Sequence, residues 1–505
     1  MDKNKLKKNV IYGFGGQMII MLLGLIVPRV MITSYGSDVN GLLSTVTQIF
    51  TYMALLEAGI GQAAKNALYK PIAEHNKDGV SAIASIARRY YRRITKIYGL
   101  AVIILAALLP FVIKSDVDRL TIFWVVFLQG MSGVISFYFI ETDTMILAAD
   151  GRGYVTNTVN VVNQTISYVA RIVLAYLGVN IAFVQFVYFL ITVAKVFYYE
   201  AYFRRRYGWI NFKVHNEQEA LPDRNSYIVT EIAWTVFSST DMIILSMFVS
   251  TKASSVYYIY NMVFSALNVL LNSIYSNVNY LLGQTYHESI KKYESYHDAF
   301  MSIFVGGMTI LVSTAYIMIL PFIKLYTRGV TDINYIIPSL PILFCLVQLI
   351  SWSRYIQGNL TGVAGYAKPT SYISVAEASI NVVVSLIFVH KYGIVGVLIG
   401  TVTALPLKVL YTTYISDKKV MHRSYAHSLR ILLSNYLVFA ITVFIGNIVK
   451  ITADRYIIFF VKALLTLLII TIVGLVINFA ANPKLFGFIR NAIRSRHEKK
   501  HSSIS

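Results

Sequence analysis

Cysteine, acidic residues and nucleotide-binding strings are what this chain has least of. Only one of its 505 residues is cysteine, Cys345, so neither an intramolecular disulfide nor a thiolate metal site can form. The nine histidines fall at no metal-ligand spacing, and no Ser-His-Asp or paired-carboxylate arrangement occurs, so we expect no metal, no catalytic residues and no enzyme. There is no G-x-x-x-x-G-K-[ST] string, which excludes an ATP motor carried by the chain itself. Gly59-Ile60-Gly61-Gln62-Ala63-Ala64 has the letters of a dinucleotide fingerprint, but it follows an apolar helical run rather than a strand. It reads as a small-residue helix contact, as does the G-x-x-x-G pair Gly396 and Gly400.

Long apolar runs are present in abundance. Apolar residues make up 56% of the chain and charged ones 14%, with a mean hydropathy of +0.60. A bilayer core roughly 30 Å thick needs about 20 helical residues to cross it. Runs of that length lie near 9–33, 40–64, 95–114, 119–148, 154–178, 181–203, 226–250, 254–283, 298–324, 333–360, 368–390, 393–416, 428–450 and 455–480. The expected fold is therefore all-α and polytopic, with about 14 transmembrane helices. The first run is too long for a cleaved signal peptide, and Pro28-Arg29 at its far end predicts a bend there.

Lys and Arg number 45 against 24 Asp and Glu, and they concentrate in alternate connections. One side holds Lys3 to Lys8, Lys65 to Lys96, Arg152, Arg204 to Arg224, Lys291, Lys292, Lys368, Lys418 to Arg430 and the tail from Lys484; the other holds only Lys114, Arg119, Lys252, Lys324, Arg328, Lys391, Lys450 and Arg455. By the positive-inside rule both termini are cytoplasmic. A net charge of +21 would suggest nucleic acid in a soluble protein; here it follows from topology and attraction to anionic lipid, so nucleic acid is not expected as a partner.

The polar connection from Arg204 to Arg224 divides the runs into six and eight. We expect an N-lobe over 1–215, a C-lobe over 216–420, two further helices over 421–483 and a basic cytoplasmic tail over 484–505. Ile83 to Ile97 sets apolar residues (Ile83, Ile86, Tyr90, Ile94) opposite Arg88, Arg89, Arg92 and Arg93, which predicts an interfacial amphipathic segment.

Charge inside the runs is the sharpest signal, because each such residue costs about 2.5–3.5 kcal/mol at mid-membrane on insertion scales. Arg29, Glu57, Glu141, Asp143, Lys195, Asp241, Arg354 and Glu377 are placed this way; Arg171, Lys408 and Lys462 are close enough to a run's end to snorkel. Arg29, Arg354 and Lys195 are the cationic candidates for a cavity-facing role, with a buried structural ion pair as the alternative. Asp241 and Glu377 are candidates for coupling to H+ or Na+, with Glu57 and Asp143 as further cavity carboxylates. The alternative for such a carboxylate is to neutralise an arginine of its own lobe while cargo is absent.

These residues bring a family into view. Pro28-Arg29, Tyr35-Gly36-Ser37-Asp38-Val39-Asn40-Gly41-Leu42, Leu56-Glu57-Ala58-Gly59, Leu68-Tyr69-Lys70-Pro71, Tyr326 to Tyr335, and Ala376-Glu377-Ala378-Ser379-Ile380-Asn381 with Gly393 to Val397 together resemble the bacterial polysaccharide repeat-unit flippases of the multidrug/oligosaccharidyl-lipid/polysaccharide exporter superfamily. Thr144 stands where relatives would carry a basic residue after the aspartate. The resemblance implies two six-helix lobes in a V plus two C-terminal helices, in the bacterial cytoplasmic membrane. It implies alternating access and, as cargo, an oligosaccharide on undecaprenyl diphosphate bound for surface polysaccharide. The polymerase and chain-length machinery of such a pathway are candidate partners beside membrane lipid. A multidrug antiporter of the same fold is the main alternative and would favour an acidic, aromatic cavity. A polymerase or ligase, which usually carries a large outer loop, is the more distant one.

Overall fold

The computed structural model describes residues 3–54, 60–212, 214 and 224–481. Among them the chain is helical throughout: α1 (Lys3–Ala54), α2 (Ile60–Ala73), α3 (Lys77–Val112), α4 (Arg119–Phe139), α5 (Glu141–Ala149), α6 (Gly153–Tyr176), α7 (Ile181–Tyr207), α8 (Arg224–Phe248), α9 (Thr251–Glu288), α10 (Ile290–Tyr326), α11 (Leu340–Ser353), α12 (Tyr355–Val363), α13 (Ala367–Tyr392), α14 (Ile394–Tyr414), α15 (Ala426–Ile448) and α16 (Tyr456–Ala481). A π-helical turn, Ile415–Val420, continues α14. Among the described residues ten helices are long and apolar enough to cross a bilayer, and the chain is a multi-pass membrane protein. Among the described residues every expected run overlaps at least one helix, several of them two helices joined across a break, although the run 333–360 becomes helical only at Leu340; the full count of fourteen crossings stays an expectation. Glu57, the polar stretch 215–223 and the basic tail lie outside the described residues.

The break in helical backbone geometry inside α1 is not at Pro28, where a bend is expected. Pro28 lies inside the helix, and the backbone leaves helical geometry at Gly36, with φ 85° and ψ 170°. Membrane helices tolerate a proline because one lost hydrogen bond does not end them, whereas a positive φ does break the ladder and favours glycine. The Ser37 N–H released by that break is donated to Asp332 Oδ2 at 2.7 Å, and the Ser37 hydroxyl to Oδ1 at 2.8 Å.

The segment 83–97 is not a separate interfacial helix either. It is part of the 36-residue α3, whose buried face runs through Val80, Ile83, Ala84, Ala87, Tyr91 and Tyr98. Arg88 and Arg92 cover the rings of Phe212 (4.1 Å) and Tyr138 (5.0 Å), so aromatic neighbours hold part of the charged face. At its other end α3 joins α4 through a short loop, where Asp118 caps α4 by accepting Thr121 N–H at 2.9 Å, which holds its carboxyl below the usual range.

Packing divides the chain into two compact units: residues 1–258 with 329–333, and 259–328 with 334–505. The first has two apolar cores. One joins α1, α3, α4 and the α6–α7 corner around Val46, Tyr98, Val102 and Val126; the other joins α2, α3, α5 and α7 around Leu68, Tyr91, Ile146 and Tyr199. In the second unit Tyr260, Phe264 and Phe344 stack at 5.7 Å. There α13 and α14 pack most extensively, because Gly400 brings the Asn381 carbonyl to 2.9 Å and the Ser385 N to 2.8 Å from where a Cβ would stand. The expected role of Gly396 and Gly400 is the observed one. α16 turns Ile457, Phe460, Leu464, Leu468 and Ile472 outward, the surface a lipid-facing helix needs. This division groups α8 with α1 and is a separate matter from the lobe boundary at 215/216, which stays a proposal.

Candidate functional site

The same local design occurs in both units. In the first, the helical run 119–149 is interrupted at Ile140, a nine-residue helix (α5) follows, and Gly151 turns the chain with φ 70°. In the second, the run 340–363 is interrupted at Arg354, a nine-residue helix (α12) follows, and Gly365 turns the chain with φ 84°. Ile140 to Gly151 and Arg354 to Gly365 are the same distance apart in sequence. Broken helices at corresponding places in two halves are how transporter folds build substrate sites, since a break exposes side chains and helix ends that a continuous helix would hide.

Each break carries charge, and each has a lysine beside it. At the first, Glu141 and Asp143 open α5; Lys195 of α7 is within electrostatic reach of Glu141, with its ammonium 6.0 Å from the Tyr199 ring. Asp143 is buried, with Arg88 and Glu200 as its charged neighbours. At the second, Arg354 is the break, 4% exposed, and its Nη1 pairs with Glu377 Oε1 of α13, itself 3% exposed. Lys408 of α14 is within electrostatic reach of both. Burial of a guanidinium and a carboxylate is tolerable here because each supplies the other's counter-charge.

Aromatic and amide groups wall the second break. Trp352 and Tyr355 stack at 4.1 Å around Arg354, Trp352 donates to Asn268 Oδ1 at 2.7 Å, and Tyr275 donates to the Tyr355 carbonyl at 3.2 Å. Tyr436 reaches from α15 to Ser353 Oγ at 3.1 Å, and Asn381 donates to Thr401 Oγ1 at 2.7 Å. Such a lining offers the stacking faces and hydroxyls that a sugar uses, beside the cation that a phosphate uses.

In the first unit a polar seam joins α1 to the α8–α9 turn. Asn40 donates to Ser255 Oγ at 2.8 Å, Thr45 and Ser246 share a hydrogen bond of 2.5 Å, and Ser246 and Ser254 share one of 2.8 Å. Asp38 accepts from Thr251 and, at 2.5 Å, from the Asp116 N–H. Lys252 pairs with Asp116 at 2.6 Å, and Lys114 N–H reaches the Ser246 carbonyl at 2.9 Å. Gly41 permits this closeness, because the Thr251 carbonyl occupies the place of a Cβ. Farther along α8, Tyr257 donates to Asp241 Oδ2 at 2.9 Å.

The structure thus brings Arg354 and Glu377 together, sets Lys195 near Glu141 and Asp143 near Arg88, and places Asp241 under a tyrosine. Arg29 is half-buried on α1 after Pro28, and its carbonyl accepts the Thr33 hydroxyl at 2.9 Å. Lys408 departs from its expected snorkelling position: it lies beside the Arg354–Glu377 pair, and its correspondence with Lys195 in the repeat is the sequence signal that marks it. Arg423 makes a network that the sequence did not mark. Counted in sequence with the topology-setting charges, it grips Asp298 through both terminal nitrogens (2.7 and 2.9 Å) and Asp417 through Nε (2.7 Å). His427 meets the same Asp298 at 2.9 Å. No group of three or more metal-binding side chains occurs among the described residues.

No family model and no curated protein sequence matches the chain. Solved structures do. The chain is similar to an inward-facing multidrug resistance MATE-family transporter of the MOP superfamily, at 15% identity and TM-score 0.61, covering 78% of this chain and 93% of that one. It is similar to an outward-facing multidrug resistance MATE-family transporter of that superfamily, at 14% identity and TM-score 0.56, covering 87% and 96%. It is also similar to the lipid II flippase MurJ in its inward closed conformation, at 14% identity and TM-score 0.58, covering 93% and 99%. The fold is that of the MOP-superfamily transporters and flippases.

Proposed function

We propose that this protein is a flippase that moves undecaprenyl-diphosphate-linked oligosaccharide repeat units from the inner to the outer leaflet of a bacterial cytoplasmic membrane by alternating access, and is not an enzyme. The observation that carries the reading is the α11–α12 break, where Arg354 and Lys408 together outnumber Glu377. A buried cationic surplus suits a diphosphate, whereas an organic cation would be met by acidic surplus. In the resting state Glu377 holds Arg354; an arriving diphosphate displaces the carboxylate and takes the guanidinium's paired donors. Arg29 and Lys195 supply the corresponding cations in the N-lobe (1–215), with 216–420 as the C-lobe and 421–483 as two further helices. The seam of α1 with the α8–α9 turn is the outer gate, shut, with both termini cytoplasmic. Asp241 is the candidate for H+ or Na+ coupling, with Asp143 and Glu57 as further cavity carboxylates. The polymerase and chain-length machinery of a surface-polysaccharide pathway are the proposed partners.

The deciding experiment uses purified protein in vesicles, offered a labelled polyprenyl-diphosphate sugar in one arm and a cationic dye in the other. Transport of the lipid-linked sugar is expected. Movement of the dye alone would establish a multidrug antiporter instead, a reading the fold accommodates equally.

A further inference from the structure

A second cationic cavity lies away from both breaks. It has a volume of about 330 Å³ and opens between the α2–α3 turn, the α5–α6 turn and the end of α7, with His75, Lys77, Asp150, Arg152, Arg206 and Trp209 in its wall. Asp150 is already satisfied: it pairs with Arg152 Nε at 2.6 Å and accepts the Tyr207 hydroxyl at 2.7 Å. With Asp150 offsetting Arg152, the positive charges of Lys77 and Arg206 remain in excess. Asn76 and Arg152, the N-caps of α3 and α6, also line the space, so the positive ends of two helices add to the same field. The Lys77 ammonium lies 5.8 Å from the centre of the Trp209 ring.

We propose that this cavity binds a phosphate group, and that its source is the head group of an anionic phospholipid on the cytoplasmic side. Phosphate fits because the unmatched charge is cationic and the carboxylate that would repel an anion is already paired. A lipid source fits because Trp209 is 41% exposed beside the cavity, and tryptophan at the end of a membrane helix marks head-group depth. Basic pockets between helices on the cytoplasmic side are suited to such head groups. The site is separate from the cargo path proposed above and does not depend on the identity of the cargo.

The test takes the full-length protein, delipidated in detergent, and measures bound lipid by native mass spectrometry with phosphatidylglycerol against phosphatidylcholine. Inorganic phosphate is titrated in a parallel arm, with Trp209 fluorescence as the readout in a background where Trp124, Trp234 and Trp352 are phenylalanine. Wild type is expected to prefer phosphatidylglycerol by about tenfold, two unmatched charges near a lipid surface being ample for that. K77Q/R206Q should erase the preference, while K70Q/R205Q, which removes equal charge outside the cavity, should keep it. Binding of inorganic phosphate that is lost in K77Q/R206Q, without lipid preference, would keep the phosphate site and assign it a soluble ligand. Equal losses in the two double variants, or no preference and no phosphate response in wild type, would overturn the proposal. All four substituted side chains are exposed or capped by solvent at their ends, so both variants should fold.

Discussion

The seam of α1 with the α8–α9 turn and the break between α11 and α12 are both buried and polar, yet they are held by different chemistry. The seam uses hydroxyls, an amide and backbone groups around one buried carboxylate, Asp38. The break uses a guanidinium against a carboxylate. Interhelical hydrogen bonds of the first kind average about 0.6 kcal/mol in a membrane, so several can open and re-form together. A buried charge left without its partner costs about 3–5 kcal/mol, so Arg354 exchanges Glu377 only for another anion. The seam has the energetics of a gate, and the break those of a binding site.

The largest effect is expected at the break. Arg354→Ala removes the proposed cargo ligand and strands Glu377. Transport of the labelled polyprenyl-diphosphate sugar should fall by roughly 30-fold or more, the lower end of a 2–5 kcal/mol loss, at normal membrane levels of protein. Arg354→Lys should keep part of the activity, losing bidentate geometry but not charge. Glu377→Gln separates two roles. If the carboxylate competes with cargo, binding should tighten; if it couples an ion, binding should hold while the response to an imposed pH or sodium gradient disappears. Unchanged binding with an intact gradient response would remove Glu377 from both.

A second buried ion network tests whether such charge always implies cargo. Arg423 with Asp298, Asp417 and His427 ties the start of α10 to the π-helical turn and to α15. Arg423→Gln should destabilise the protein by about 3–5 kcal/mol, read as a lower unfolding midpoint in detergent. Asp298→Asn combined with it should cost much less than the sum. Transport per folded molecule should be unchanged; a specific transport defect would move this cluster into the cargo path.

How much of this was legible in the sequence varies with the physics behind each signal. Bilayer thickness forces long apolar runs, so every expected run overlaps helix among the described residues. Arg354 and Glu377 stood out because charge in such runs is costly, and their pairing realises the counter-charge alternative. Lys408 was misplaced because counting from a run's end measures depth but not which neighbouring helix breaks beside it. The ion pairs of Arg423 went unmarked because sorting charges by connection ignores burial. The break at Gly36 went unmarked, since only the backbone shows which residue takes a positive φ. The α1 side of the seam showed only as the stretch Tyr35 to Leu42 of the family resemblance, and its α8–α9 side gave no signal, because serine and threonine are ordinary in membrane helices until their partners are known.

The next effect concerns the tightest contact of the seam. Gly41 lets the Thr251 carbonyl stand where a Cβ would be, so Gly41→Ala should push α1 and α9 apart at an overpacking cost of about 1–3 kcal/mol. With the buried Cys345 replaced by alanine, a cysteine placed at the buried Ser254 reports the opening. Its labelling by a membrane-impermeant maleimide from outside should quicken about fivefold or more, the rate following the open population. A cysteine at Asp116, 80% exposed, should label equally in both backgrounds and sets the scale. Labelling of Asp116 only from the cytoplasmic side would reverse the proposed orientation.

The smallest effect distinguishes a gate from a fixed core. Asn40→Ala deletes the bond to Ser255 Oγ and leaves the apolar packing of Val39 and Leu42 in place. At about 0.6 kcal/mol the open fraction should rise only about threefold by the same cysteine assay. Ser255→Ala should do the same, and the two together should do little more than either alone, because they remove one shared bond. A hydroxyl seam that is merely structural gives a different pattern: the unfolding midpoint falls and Ser254 labelling does not change. Measuring both quantities on the same three variants therefore decides whether the polar residues of α1 keep a gate in balance or only hold a helix in place.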